Sequence, residues 1–233
     1  MQATSDLYKS IIAGSHHWET VVSIGYAPDV LGKDTAESVT FGGLEILLDD
    51  GGINTGYGDD TLYSVKTSAA AFSGNAPEVG GCIAKSINVE IMGSIGNVPR
   101  AARMILWVRC TDGERHSEWI QKGIYYIDTR ATRKSVYGDI STTITGYDAV
   151  LKFESKYPDS SIDWPARDID AINEICSIYG IGINPETAQI INGSNTVQYP
   201  GEYTVREFLG FIAGMYAGSF VLDDCGRLRL VQL

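Results

Sequence analysis

The three histidines and four cysteines are the residues with most scope for metal or nucleophilic chemistry. His16 and His17 are adjacent, with Glu19 just beyond, at the start of an alternating apolar stretch. An HExxH zinc pair needs two imidazoles one helical turn apart on one face, whereas neighbours on a strand point to opposite sides. His116 is the only other imidazole, so the sequence writes neither a histidine metal site nor a catalytic triad. Cys82, Cys110, Cys176 and Cys225 are widely spaced and form no CxxC pair, which excludes a zinc ribbon or a redox motif. Free, mostly buried thiols are expected. Two disulfides are compatible with the count, but a chain of this size does not depend on them.

The acid pairs Asp49-Asp50, Asp59-Asp60 and Asp223-Asp224 offer the hard oxygen ligands that calcium prefers. None stands in a DxDxDG frame with a distal glutamate, and Asp223-Asp224-Cys225-Gly226 reads as a hairpin turn. The chain has no GxSxG and no GxxxxGK[ST], and the glycine cluster Gly51 to Gly58 is not followed by an apolar helix to hold phosphate. Its 13 tyrosines and 4 tryptophans could stack bases, but 18 cations against 29 acids leave a net charge of −11. That balance argues against nucleic acid and anionic membranes as partners. The expected set of catalytic, cofactor-binding and metal-binding residues is therefore empty, no cofactor is called for, and an enzyme is not expected.

What remains is a scaffold. Across 233 residues the chain is 44% hydrophobic and 20% charged, with 26 Gly and 7 Pro, as in a soluble globular protein. No apolar run reaches the ~18 residues of a membrane span, and Met1 to Gly14 lacks the layout of a secretory signal, so synthesis in the cytoplasm is expected. Leu7, Tyr8, Ile11 and Ile12 form the stripe of a short helix that begins after Thr4 or Ser5 and ends at Gly14. Period-two alternation then predicts strands over His17 to Ile24 and Lys85 to Ile91, Met104 to Cys110 is apolar on both faces as in a central strand, and further strands are expected over Trp119 to Arg130 and an alternating Val136 to Thr145. Thr111-Asp112-Gly113-Glu114 reads as a tight hairpin turn within an antiparallel meander. Asp49 to Asp60 and Ala69 to Gly81 read as mobile loops.

From Gly146 the period changes. Ile169, Ile172, Ile175, Cys176 and Tyr179 predict a helix with Pro165 in its first turn, Asp168 and Asp170 at its positive end and Gly180 as its stop. A second helix follows over Thr204 to Ala217. Thr204 and Glu207 form a capping box, Tyr203 and Phe208 a hydrophobic staple, and Phe208, Leu209, Ile212 and Tyr216 the buried face. Phe220 to Leu230 closes the chain as a β-hairpin. The expected fold class is α+β and mainly β. An antiparallel β-barrel-like domain with an N-terminal helix spans residues 1–145, and a small α+β domain spans 146–233.

The order of these signals carries more than any one of them. Ser117-Glu118-Trp119-Ile120-Gln121-Lys122-Gly123-Ile124-Tyr125-Tyr126-Ile127 leads to Ile144-Thr145-Gly146-Tyr147-Asp148-Ala149-Val150-Leu151-Lys152. Tyr157 to Pro165, Tyr179-Gly180-Ile181, Tyr203 to Ala213, Gly218 to Asp223 and Gly226 to Leu230 follow in turn. This order resembles the N-terminal structural region of the phage and prophage tail baseplate hub family, which includes tail-associated lysins and tail endopeptidase-like proteins. The resemblance is strongest from Ser117 onward. It implies a virion structural protein of the tail tip, a homotrimeric ring whose β-barrel domains join the tail tube or distal tail protein to the spike or tip. Each subunit of such a ring presents two barrel-like domains. This chain holds the first and the α+β segment after it, as expected of a truncated or short form of a longer hub. The runner-up readings are a carbohydrate-binding tail adhesin displaying Trp18 and Trp107, and the non-catalytic part of a cell-wall-degrading lysin.

Overall fold

The Ser5 hydroxyl accepts the Tyr8 amide at 3.0 Å and caps α1 (Asp6–Ile12), whose Ile11 is buried. Strands β1 (His17–Tyr26), β2 (Val39–Phe41), β3 (Leu44–Ile46), β4 (Ile53–Tyr57), β5 (Leu62–Ser68), β6 (Gly81–Cys82), β7 (Ser86–Met92), β8 (Arg103–Thr111), β9 (Ile120–Lys134) and β10 (Ile140–Tyr147) follow. After the 3-10 helix Ala149–Glu154 come β11 (Ala166–Arg167), α2 (Asp168–Tyr179), α3 (Pro185–Ile190), β12 (Thr196–Val197), α4 (Val205–Met215), β13 (Gly218–Leu222) and β14 (Leu228–Gln232). The computed structural model describes residues 4–26, 39–41, 44–46, 53–70, 79–95, 98 and 101–233. Two compact units divide the chain: Met1–Lys66 with Ile87–Gly146, and Thr67–Ser86 with Tyr147–Leu233.

The first unit is built on one seven-stranded sheet in the order β4-β1-β8-β9-β10-β7-β5. β8, β9 and β10 keep the expected meander, while β1 lies outside β8 and β7 outside β10. Strict alternation puts Ile87, Val89 and Ile91 of β7 into one core with Val22, Ile24, Met104, Leu106, Tyr125, Ile127 and Ile144. Tyr57 of β4 and Leu62 and Val65 of β5 pack against that same core. Seven flat strands would be about 29 Å across, too wide for both edges to share one cluster. The sheet must therefore curl.

Its two edge strands are joined by only four residues, Gly58 to Thr61. The Thr61 and Leu62 amides both donate to the Gly58 carbonyl, at 2.8 and 2.7 Å. The Thr20 amide reaches the Asp59 carboxylate at 3.2 Å, and the Met92 amide reaches the Thr61 carbonyl at 2.8 Å. One turn thus gathers β1, β4, β5 and β7. No ladder joins β4 to β5 among the described residues, so the expected barrel is here an open, curled sheet.

Three readings of this part of the chain change. Ile53–Tyr57 is not loop: it pairs antiparallel with β1, Tyr57 opposite Val22, because edge pairing uses backbone groups that glycine, asparagine and threonine also possess. Asp49-Asp50 and residues 71–78 lie outside the described residues, while Gly81-Cys82 forms β6. The strand expected from Val136 begins at Ile140. Val136 and Tyr137 sit in the turn after β9, where Gly138 takes a positive φ of 94°.

In the second unit β13 is buried at every residue and lies between antiparallel β14 and parallel β6. α4 begins with the expected capping box: the Glu207 amide donates to Thr204 Oγ1 at 3.1 Å, and the Thr204 amide donates to the Glu207 carboxylate at 2.8 Å. The staple differs. Tyr203 meets Phe211 at a ring distance of 5.0 Å, because Phe208 is occupied on the other side by Tyr157 and Trp164. α2 ends as expected on left-handed Gly180, but Pro165 lies ahead of it, separated by β11, and Arg167 holds the N-cap position. α3 was not expected, although Asn184 caps it and Pro185 takes its first turn. All four cysteines are free thiols, and only Cys225 is exposed.

Two substitutions test this packing. A Cβ on Gly210 would lie 2.5 Å from the Gly80 carbonyl oxygen, so α4 meets that segment backbone to backbone. Gly210→Ala gains roughly 0.5–1 kcal/mol of helix propensity and loses about 1–3 kcal/mol to overpacking. A net fall in the chemical denaturation midpoint is expected. Thr204→Ala, which removes one half of the capping box, is expected to cost about 1 kcal/mol in the same measurement.

Candidate interaction surface

The histidines do not converge. His16 contacts the Gly14 carbonyl at 3.0 Å and lies edge-on to Trp18, whereas His116 faces Glu19 at 3.2 Å. Glu19 also accepts a hydrogen bond from Arg109, whose guanidinium lies 4.5 Å from the Trp119 ring centre. Among the described residues no group of three or more His, Cys, Asp or Glu side chains gathers to hold a metal ion. Asp223 serves its hairpin. It accepts the amides of Cys225 and Arg227, both at 2.9 Å, together with Arg227 Nε at 2.8 Å and Asn184 Nδ2 at 2.9 Å. Burial opposes its charge, yet these bonds outweigh it and hold the carboxyl below its ordinary range.

The buried acids are also engaged in holding the fold. Asp148 accepts the amides of Lys85 and Val150, each at 3.1 Å, and its own amide donates to the Lys85 carbonyl. Burial dominates those bonds and pushes its carboxyl up to about 6. Glu174 on α2 collects Tyr157 Oη at 2.7 Å, Ser160 Oγ at 2.9 Å and the Ser161 amide at 2.5 Å. Burial works against its charge, and these donors together hold it below the usual range. Asp168 accepts from Tyr216, whose hydroxyl in turn receives Asn195 Nδ2 at 2.8 Å. The buried thiols are poor nucleophiles: burial raises Cys82 and Cys110 and pushes Cys176 up to about 12.

Sequence reading missed the aromatic cluster of Tyr157, Trp164, Tyr199 and Phe208, because its members lie far apart along the chain. A groove of about 570 Å³ opens beside it, lined by Ser161, Pro165, Arg167, Asp170, Asn173 and Glu174. Within it the Ser161 hydroxyl donates to the Glu174 carboxylate at 2.9 Å, and that carboxylate is already shared with Tyr157, Ser160 and the Ser161 amide. Trp107 is half-buried with its indole nitrogen enclosed, while Trp18 is exposed.

Accessible apolar side chains are the remaining resource, and they occur in places. Phe211 and Met215 share one face of α4, four residues apart, with Tyr203 edge-on to Phe211. Val136 and Tyr137, at 95% and 91% exposure, stand on the turn between β9 and β10. At the opposite end of β9, Glu19, Thr20, Asp59, Asp60, Arg109 and Trp119 line a cleft of about 280 Å³. Such surfaces fit association with other macromolecules better than turnover of a small substrate.

The class defined by this geometry is a β-rich protein with a curled sheet unit and a small α+β unit. No protein-family model matches the chain, and no curated protein does. Among solved structures it is similar to the 43 kDa tail protein of prophage MuSo2 from Shewanella oneidensis, with a TM-score of 0.53 at 13% identity. That likeness covers 94% of this chain and 56% of the Shewanella chain, so the protein spans little more than half of its neighbour's length. A tail protein from Neisseria meningitidis MC58 aligns with a TM-score of 0.48 at 14% identity, over 91% of this chain and 51% of that one. The first likeness shows the fold.

The Asp148 crosslink gives a measurable pH effect. Asp148→Ala leaves the Lys85 and Val150 amides without their acceptor and is expected to cost about 3 kcal/mol in urea denaturation at about pH 4, where the carboxyl is protonated. The folded carboxyl titrates near 6 against an ordinary 3.8, so the folded state holds its proton to higher pH than the unfolded chain does. That group's contribution is therefore full below about 4 and is lost as pH rises through about 6. The decline over that window is expected to disappear in the variant.

Proposed function

We propose that the chain is a structural subunit of a phage or prophage tail tip or baseplate hub, which works by assembly. In this reading it forms a homotrimer that joins the tail tube or distal tail protein to the spike or tip. Its barrel-like unit would contribute to the ring, and a second such unit would belong to a longer form of the protein. The observation that carries the reading is the likeness, over 94% of the chain, to the Shewanella prophage tail protein. The order of motifs from Ser117 to Leu230 supports it independently, since that order resembles the hub family.

The physical character of the chain is in keeping with this role. Its buried acids are spent on holding segments together, and its accessible features are apolar side chains on rigid elements. A ring would also cover the open edges of the curled sheet, which a lone subunit leaves available for unwanted pairing.

The test is composition and mass. Purified tail particles from the source phage or prophage are expected to contain the protein at the tip, seen by mass spectrometry and antibody labelling. Light scattering is expected to return a multiple of 25.3 kDa. Absence from purified tails would overturn the assignment. Glycan affinity in a protein that stays monomeric would favour the adhesin, and peptidoglycan release by the chain itself would identify an enzyme.

A further inference from the structure

β9 is longer than the sheet requires. Its side chains alternate between core and surface up to Ile127, and then every residue from Thr129 to Ile140 is exposed. Thr132 still meets Thr142, which is buried and donates to the Gly93 carbonyl at 2.8 Å, so the hairpin stands free of the sheet only from Arg133 onward. The turn that stands free is tightly built. The Ser135 amide donates to the Asp139 carbonyl at 2.7 Å, and the Ser135 hydroxyl accepts the amides of Tyr137 and Asp139 at 3.2 and 3.1 Å. Those bonds fix a turn that offers Val136 and Tyr137 to solvent.

The charge of the projection is opposite to that of the chain. Arg133 and Lys134 stand against Asp139 on the turn, while the whole protein carries −11. Arg133 and Lys134 make no ion pair among the described residues. A basic, aromatic tip on an acidic protein is complementary to another copy of that protein.

An acceptor of matching character lies at the other end of the same strand. The cleft beside Trp119 holds three carboxylates, Glu19, Asp59 and Asp60, against the single cation Arg109. Its volume of about 280 Å³ admits an aromatic ring, since about 150 Å³ is enough for benzene. Fourteen steps of β9 separate Ile120 from Lys134, a span of up to about 45 Å, so the tip is held away from the cleft of its own chain.

We infer that the β9–β10 hairpin is a docking arm that places Tyr137 in the Glu19, Asp59, Asp60 and Trp119 cleft of a second copy, with Arg133 and Lys134 facing its carboxylates. Donor and acceptor at opposite ends of one strand make a head-to-tail interface, the kind that closes into a ring when the rotation between copies allows it. This inference rests on the reading that the chain assembles with itself, and it names the surface.

The experiment uses the full chain in a Cys225→Ser background, which removes the one exposed thiol. Tyr137→Cys protein is mixed with Asp60→Cys protein and oxidised, and covalent pairs containing one of each are expected, reversible by reductant. Sedimentation from micromolar to millimolar concentration is expected to show self-association that weakens with salt. Arg133→Glu with Lys134→Glu should raise the half-assembly concentration by about tenfold without moving the thermal midpoint, because both side chains are exposed. Adding Asp60→Lys to that variant should restore part of the loss. Assembly that persists unchanged in the charge-reversed variant, with no mixed crosslink, overturns the arm and leaves self-assembly standing. A protein that is monomeric throughout overturns the arm as well, while its detection in purified tails would leave the tail role intact.

Discussion

One short connection imposes the shape of the sheet. β4 and β5 occupy opposite edges of seven strands, yet Gly58 to Thr61 is all the chain that joins them. The edges must come together at that corner, which turns an otherwise wide ribbon into a wall around one core. Everything inside follows from the enclosure: Ile24 of β1 and Val65 of β5 belong to the same cluster although many strands lie between them. The turn that makes this possible has little apolar content of its own. It is held by backbone bonds at Gly58 and Thr61 and by the Asp59 carboxylate on the Thr20 amide.

The second unit reaches order by a different route. A short segment, Gly80 to Lys85, is threaded against elements 63 to 139 residues further along the chain by polar and backbone contacts. Gly80 donates to the Gly218 carbonyl at 2.8 Å, Cys82 receives Arg206 at 2.7 Å, and Lys85 meets both Asp148 and Asp224. Burying Asp148 to secure this segment is costly for its charge, and the two amides it accepts are the reason it is there. The pattern is that of a fold whose ionisable interior groups have been committed to architecture.

How much of this the sequence disclosed depended on whether the signal was local. The strands at Ile87 to Ile91 and Met104 to Cys110, the capping box at Thr204 and the stop at Gly180 were legible, because periodicity and end chemistry are written in neighbouring residues. β4 was not. Asn54, Thr55 and Gly56 have the composition of a loop and become a strand only because β1 supplies a partner for their backbone. Val136 misled in the opposite sense, since a β-branched residue before a tyrosine suggests a strand, whereas Gly138 makes the turn. The acidic cleft was illegible for the same reason as β4: Glu19, Asp59 and Trp119 meet only once β4, β1, β8 and β9 have paired.

The extended strand β9 has a mechanical consequence. Where its inner half is paired to β8, the ladder bonds run across the strand axis, so a pull directed along β9 from its tip would load them together in shear. A pull directed across the sheet would instead open them one after another, beginning at the end. Bonds that share a load resist far more than bonds that meet it singly. A force applied along the projecting hairpin therefore finds the sheet in its stiffest direction.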